Sequence, residues 1–149
     1  MESTTVKESF KVLTRKGTCI EFFSAYQEHD YARMLTLFSP DADVEFGPLG
    51  EGGKGKAKEL GKNIWATLMD CFPDIDNTID TFEVDDENII CKVNIFGTQA
   101  KDFAGILSKG LKFENDHIFI FKFDNDDNIS SLHIDWNHES FCKQLGVEL

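Results

Sequence analysis

Cationic side chains are scarce in this 149-residue sequence: 15 Lys plus Arg stand against 27 Asp plus Glu, a formal net charge of −12. A polyanion meets an overall repulsive field, so nucleic acid and anionic membrane are poor partners. No apolar run approaches the roughly 20 residues of a membrane span, and Met1 to Phe10 has no apolar signal-peptide core. A cytoplasmic protein is expected. The four cysteines, Cys19, Cys71, Cys91 and Cys142, make no CxxC and lie far apart within apolar runs. That spacing suits buried free thiols of a reducing compartment better than disulfides or a zinc site. Aromatic residues with a polar handle are also rare, 2 Tyr and 2 Trp against 14 Phe. The excess of Phe implies a core or pocket lined with rings that carry no hydrogen-bonding group.

At this length the chain fits one domain, residues 1–149, that buries about two thirds of its unfolded surface. Residues 1–17 suit an extra N-terminal arm or short helix. From Thr18, Cys19, Ile20, Phe22, Phe23 and Tyr26 recur at helical spacing. Asp30 is a good N-cap for a second helix with Tyr31, Met34, Leu35, Leu37 and Phe38 on its apolar face, and Ser39-Pro40-Asp41 stops it. Ala42 to Phe46 alternates as a half-buried strand. Five glycines between Gly47 and Gly55 then form a mobile connection; Lys54 precedes Gly55 instead of a hydroxyl residue, so a phosphate-binding loop is not read here. Lys56 to Phe72 is the strongest helical stretch, ended by Pro73.

Beyond Pro73 the helical period gives way to strands: Ile75 to Val84, Ile89 to Phe96, Phe113 to Phe123 and Ile129 to Trp136. Gly97 to Lys112 is a long loop, and Asp124 to Asn128 is a hairpin turn that lacks the glycine and distal Glu of a calcium loop. A helix over Glu139 to Leu145 closes the chain. Helices collected at the front must cover one face of strands that follow in succession. The expected class is therefore α+β: a curved, mostly antiparallel sheet wrapped around helices, a cone-shaped α+β barrel with an internal cavity. Phe119, Phe121 and Trp65 are candidate ligand contacts in that cavity.

In the last strand, His133 and Asp135 share one face while Ile134 and Trp136 share the other. An imidazole beside a carboxylate suits proton transfer, and the same pattern fits a strand end that turns its polar face to water.

Several motifs in a fixed order resemble the SnoaL-like polyketide cyclase family, within the nuclear-transport-factor-like (ketosteroid-isomerase-like) superfamily. They are Phe38-Ser39-Pro40-Asp41-Ala42, Cys71-Phe72-Pro73-Asp74, Phe96-Gly97-Thr98-Gln99 leading to Phe103-Ala104-Gly105, His133-Ile134-Asp135-Trp136, and Lys143-Gln144-Leu145-Gly146-Val147. The resemblance implies a cofactor-free, metal-free intramolecular aldol closure, with Asp135 as general acid/base and His133, His117 and Gln99 as polar groups facing the substrate. Glu45 on the early strand is a further candidate for the same cavity. A carboxylate in a Phe-lined cavity would have its pKa raised toward working pH, and His117 would supply hydrogen-bond donors to the enolate oxygen. Three readings stay open: a cyclase- or isomerase-type enzyme acting on a small apolar carbonyl compound, a non-catalytic small-molecule binding domain, and a self-associating interaction domain. A homodimer is expected under each.

Overall fold

Period-two alternation dominates the second half of the chain, and the computed structural model, which describes residues 9–148, turns it into a six-stranded curved sheet with helices on its concave side. The elements run α1 (Phe10–Gln27), α2 (Tyr31–Leu35), β1 (Phe38–Phe46), β2 (Lys54–Lys56), α3 (Lys62–Cys71), β3 (Asp76–Asp85), β4 (Asn88–Thr98), β5 (Lys112–Phe123), β6 (Ile129–Trp136) and α4 (His138–Gln144). Strand order is β2-β1-β6-β5-β4-β3, and every neighbouring pair is antiparallel except β1 and β6. The sheet is open, and the fold is the expected α+β cone.

The first helix begins earlier than its apolar spacing suggests. Ser9 caps it by accepting from the Val12 amide at 3.1 Å, and Val12 and Arg15 are buried. The expected arm is thus part of α1 from Phe10 onward; residues 1–8 of it lie outside the described residues. Arg15 explains the extension. Its guanidinium donates to Asp127 Oδ1 (2.9 Å), the Glu87 carbonyl (3.0 Å) and the Asp124 carbonyl (3.0 Å), and lies 5.1 Å over the Phe123 ring. One side chain therefore ties α1 to the β3–β4 and β5–β6 turns. Ile20, expected on the buried face, is 52% exposed.

Phe38 belongs to β1 and not to the second helix. It pairs with Ile129, whose amide donates to the Leu37 carbonyl at 3.0 Å, and the irregular register between Phe38 and Asp43 accommodates Pro40 without a ladder donor. The glycine-rich connection is also more ordered than expected. It makes a tight 3₁₀ turn over Gly47–Gly53 and a short edge strand, β2, paired with Asp43–Glu45. Gly53 is required there, since a Cβ would lie 2.4 Å from the Phe46 carbonyl oxygen. A π-helical turn over Ala57–Gly61 leads into α3.

The core is a continuous aromatic stack. Phe22 on α1 makes edge contacts with Phe23, Tyr26, Phe38, Trp65, Phe119 and Phe121 at centroid distances of 5.1 to 6.4 Å. Such pairs contribute about 0.5–1.5 kcal/mol each beyond the area they bury. A second cluster of Phe72, Phe103, Phe113 and Phe141 joins α3, the loop after β4, β5 and α4. All four cysteines are free and buried. Burial pushes the Cys19 thiol up, with the Cys91 thiol beside it adding to the shift, and burial likewise raises Cys71 and Cys142.

Candidate functional site

Between the two aromatic clusters lies a cavity walled by residues from every layer of the fold. α1 contributes Tyr26, the turn after β1 Leu49, α3 Trp65 and Leu68, β5 His117 and Phe119, and β6 Ile134 and Trp136. Phe103, from the loop after β4, and Phe141, from α4, also line it. The cavity has a volume of about 40 Å³.

Register decides which polar groups reach this space. On β5 the odd-numbered side chains Phe113, Asn115, His117, Phe119 and Phe121 are buried. His117 pairs with Trp136, Ile118 with Asp135, and Ile120 with His133, and directly paired residues project from the same face of a sheet. The inward row of β6 is therefore Leu132, Ile134 and Trp136, and the outward row is His133 and Asp135. The expectation that Asp135 and His133 face the cavity is corrected: both lie on the outer face. Burying the apolar row of a one-sided strand outweighs any local preference of the polar row. Asp135 is exposed and accepts from the Trp136 amide at 2.9 Å. His133 Nδ1 lies 3.4 Å from Glu45 Oε1, both side chains about 40% exposed, a pairing worth little in water. Glu45 is on that outer face as well, with Lys54 beside it at 3.9 Å.

The other expected residues divide. His117, Phe119 and Trp65 line the cavity. Phe121, fully buried, packs into the core against Phe22 and Phe23 and is not on the wall. Gln99, 1% exposed, is spent on the loop that follows it. Its Nε2 donates to the carbonyls of Lys101 (3.1 Å) and Ile106 (2.8 Å), and its Oε1 is enclosed with no partner among the described residues.

His117 is 8% exposed. Its Nδ1 is 3.2 Å from the Asn115 carbonyl, an acceptor only, so Nδ1 carries the proton and Nε2 presents a lone pair. Burial lowers the His117 pKa to about 4, against smaller opposing effects of the Asn115 hydrogen bond and of Asp116 and Asp135. At neutral pH the ring is therefore uncharged. It offers the cavity an acceptor, where a donor was expected.

Tyr26 is the residue that sequence reasoning missed. It sits on the apolar stripe of α1, 2% exposed, and its hydroxyl has no hydrogen-bond partner among the described residues. Tyr26 and His117 both line the cavity. Burial raises the Tyr26 pKa, which keeps the phenol protonated as a donor. The sequence did hold one signal: a Tyr on a core-facing stripe of a protein that otherwise uses Phe there. Trp136, expected as packing on the opposite face, is the third member, its indole stacked on the His117 ring at 5.3 Å and 21°. Among the described residues no group of three or more His, Cys, Asp and Glu side chains is arranged to hold a metal ion, and no helix is long and apolar enough to cross a membrane.

Residues 20–132 match the SnoaL-like domain family, and the chain belongs to that family. No functionally curated protein matches the sequence. Among solved structures, a candidate SnoaL-like polyketide cyclase from a Jannaschia species superposes with a TM-score of 0.83 at 12% identity, covering 95% of this chain and 98% of that one. AclR, a candidate hydroxylase from Streptomyces galilaeus, gives 0.78 at 16% identity over 91% and 97%. IdmH, a candidate polyketide cyclase from Streptomyces antibioticus, gives 0.74 at 20% identity over 89% and 99%. At such identities the likeness shows a shared fold, and the named activities differ among the relatives themselves.

Proposed function

We propose that this SnoaL-like chain performs cofactor-independent acid/base chemistry of the cyclase or isomerase type on a small, largely apolar carbonyl compound, with His117 as base and Tyr26 as hydrogen-bond donor. The observation that carries the reading is that His117, whose Nε2 is an acceptor, and Tyr26, whose phenol stays protonated, both line a cavity otherwise walled by apolar rings and aliphatic side chains. A ligand carrying a carbonyl and an adjacent C–H would give both groups a partner.

In the proposed step Nε2 removes the proton next to the carbonyl and the electron pair of that C–H bond becomes the enolate. Tyr26 O–H donates to the enolate oxygen as charge builds there. The imidazolium is disfavoured by burial, but the enolate beside it supplies the opposite charge, so the two charges appear together. Attack of the enolate carbon on a second carbonyl of the same molecule forms the ring, and His117 returns its proton to the new alkoxide. The Asn115 carbonyl, accepting from Nδ1, holds the ring and favours its charged form.

A non-catalytic binding domain is the second reading: the same apolar wall would hold such a ligand without turning it over. A homodimer belongs to either reading. The outer sheet face presents Ile118 with Lys92, Asp116, Lys122 and Asp135 around it, both charge signs on one surface that a second copy can match; sedimentation equilibrium checks the stoichiometry.

The test is exchange of protons α to the carbonyl of a small apolar ketone, cyclohexanone, in heavy water, followed by proton NMR. Wild-type protein is expected to accelerate exchange, His117→Gln to lose about a hundredfold of that rate and Tyr26→Phe a comparable factor. Acceleration that survives both substitutions overturns the assignment, and binding without exchange across a panel of ketones selects the binding-domain reading.

A further inference from the structure

The cavity wall is braced from behind by α4. Trp136 stacks on His117, and its indole Nε1–H donates to His138 Nδ1 at 3.2 Å. Because Nδ1 accepts, the proton of the neutral His138 ring sits on Nε2, which lies 3.5 Å from Cys142 Sγ, one helical turn further on. The His138 ring is also stacked on Phe141 at 5.7 Å and 19°. Three contacts thus hold an imidazole that is not itself on the cavity wall. The same helix also reaches Asn115, whose backbone carbonyl accepts from His117 Nδ1: the Asn115 side chain donates to Ser140 Oγ and accepts from Gln144 Nε2, both at 3.4 Å.

We propose that His138 is a positioning residue for His117, acting through Trp136: by accepting the indole N–H it fixes the ring plane on which His117 stacks and so keeps Nε2 of His117 turned to the cavity. Without the acceptor the indole N–H is left partly buried and unpaired. Trp136 then turns to find solvent, and the flat surface that prevents His117 from rotating is lost. The Asn115 carbonyl restrains the ring at one edge, through Nδ1, and the stacked indole restrains its face.

Nitrogen-15 NMR of the histidine rings in full-length, ligand-free protein tests this, and its outcome is independent of whether anything is turned over in the cavity. In wild type, His138 is expected as the single tautomer protonated on Nε2 and His117 as the single tautomer protonated on Nδ1. In His138→Leu the Trp136 indole proton should lose its protection from solvent exchange, and His117 should show averaged or doubled signals. In His138→Asn, whose side-chain oxygen can take the place of Nδ1, both features should return. Unchanged His117 signals in His138→Leu overturn the proposal. So does a wild-type His138 protonated on Nδ1, a measurement that decides the matter by itself where His138→Leu does not fold.

Discussion

Acid should destabilise this protein through His117, by an amount its burial sets. The folded-state pKa is about 4 against an ordinary value of 6.5. Between these values the unfolded chain binds a proton at this position that the folded protein does not. The difference in bound protons, unfolded minus folded, is positive there, so unfolding free energy rises with pH and falls as pH falls. The loss begins as pH drops through 6.5 and is complete near 4. A gap of about 2.5 pH units at 1.36 kcal/mol each comes to about 3 kcal/mol, a large share of a typical domain's 5–15 kcal/mol. Urea denaturation of wild type and His117→Gln at a series of pH values isolates it, because the effects of all other acidic groups are common to both proteins. The stability difference between them should shift by about 3 kcal/mol toward the variant from about pH 7 to about pH 4. A difference that stays flat across that window would mean that His117 is not held neutral in a desolvated cavity, and the chemical reading of Nε2 would go with it.

Other expectations follow from the same geometry. Asp135→Asn should change ketone binding and exchange by less than about twofold, since substitutions on an exposed face away from special contacts stay within about 0.5 kcal/mol; a loss approaching that of His117→Gln would show that the outward carboxylate takes part after all. Arg15→Met should lower stability by about 3 kcal/mol in urea titrations by leaving the Asp127 carboxylate and two turn carbonyls without their donor, and Arg15→Lys should recover little because an ammonium cannot reproduce the guanidinium fork. Phe22→Ala, at the hub of six ring contacts and fully buried, should cost about 4 kcal/mol by thermal or urea unfolding. Gly53→Ala should cost about 1–3 kcal/mol by overpacking against the Phe46 carbonyl and Leu49. Because Leu49 lines the cavity, it should also change ligand affinity in calorimetry, which Phe22→Leu should do less.

Much of this protein is legible in its sequence. The odd-numbered buried row from Phe113 to Phe121, the strand from Ile89 to Phe96, the acidic turn at Asp124 to Asn128 and the cap at Asp30 are local patterns, each decided by a few neighbouring residues. Together with the order of elements they determined the α+β cone, and they brought His117, Phe119 and Trp65 to its interior. The division of β6 into a His133/Asp135 face and an Ile134/Trp136 face was equally local and held. Which face turned inward was not local. It depends on the pairing of His117 with Trp136 and of Ile118 with Asp135, and a slip of one residue would have exchanged the two rows. Leu132 and Ile134 settled that register by burying apolar surface, so the acid/base pair that stands out in the linear sequence went to water. Tyr26 and His117, ninety-one residues apart, became the polar groups of the cavity instead, because only packing α1 across the sheet brings them to one space. Composition and periodicity determined what this chain folds into; the competition between rows of side chains for one interior, resolved only in three dimensions, decided which residues its cavity can use.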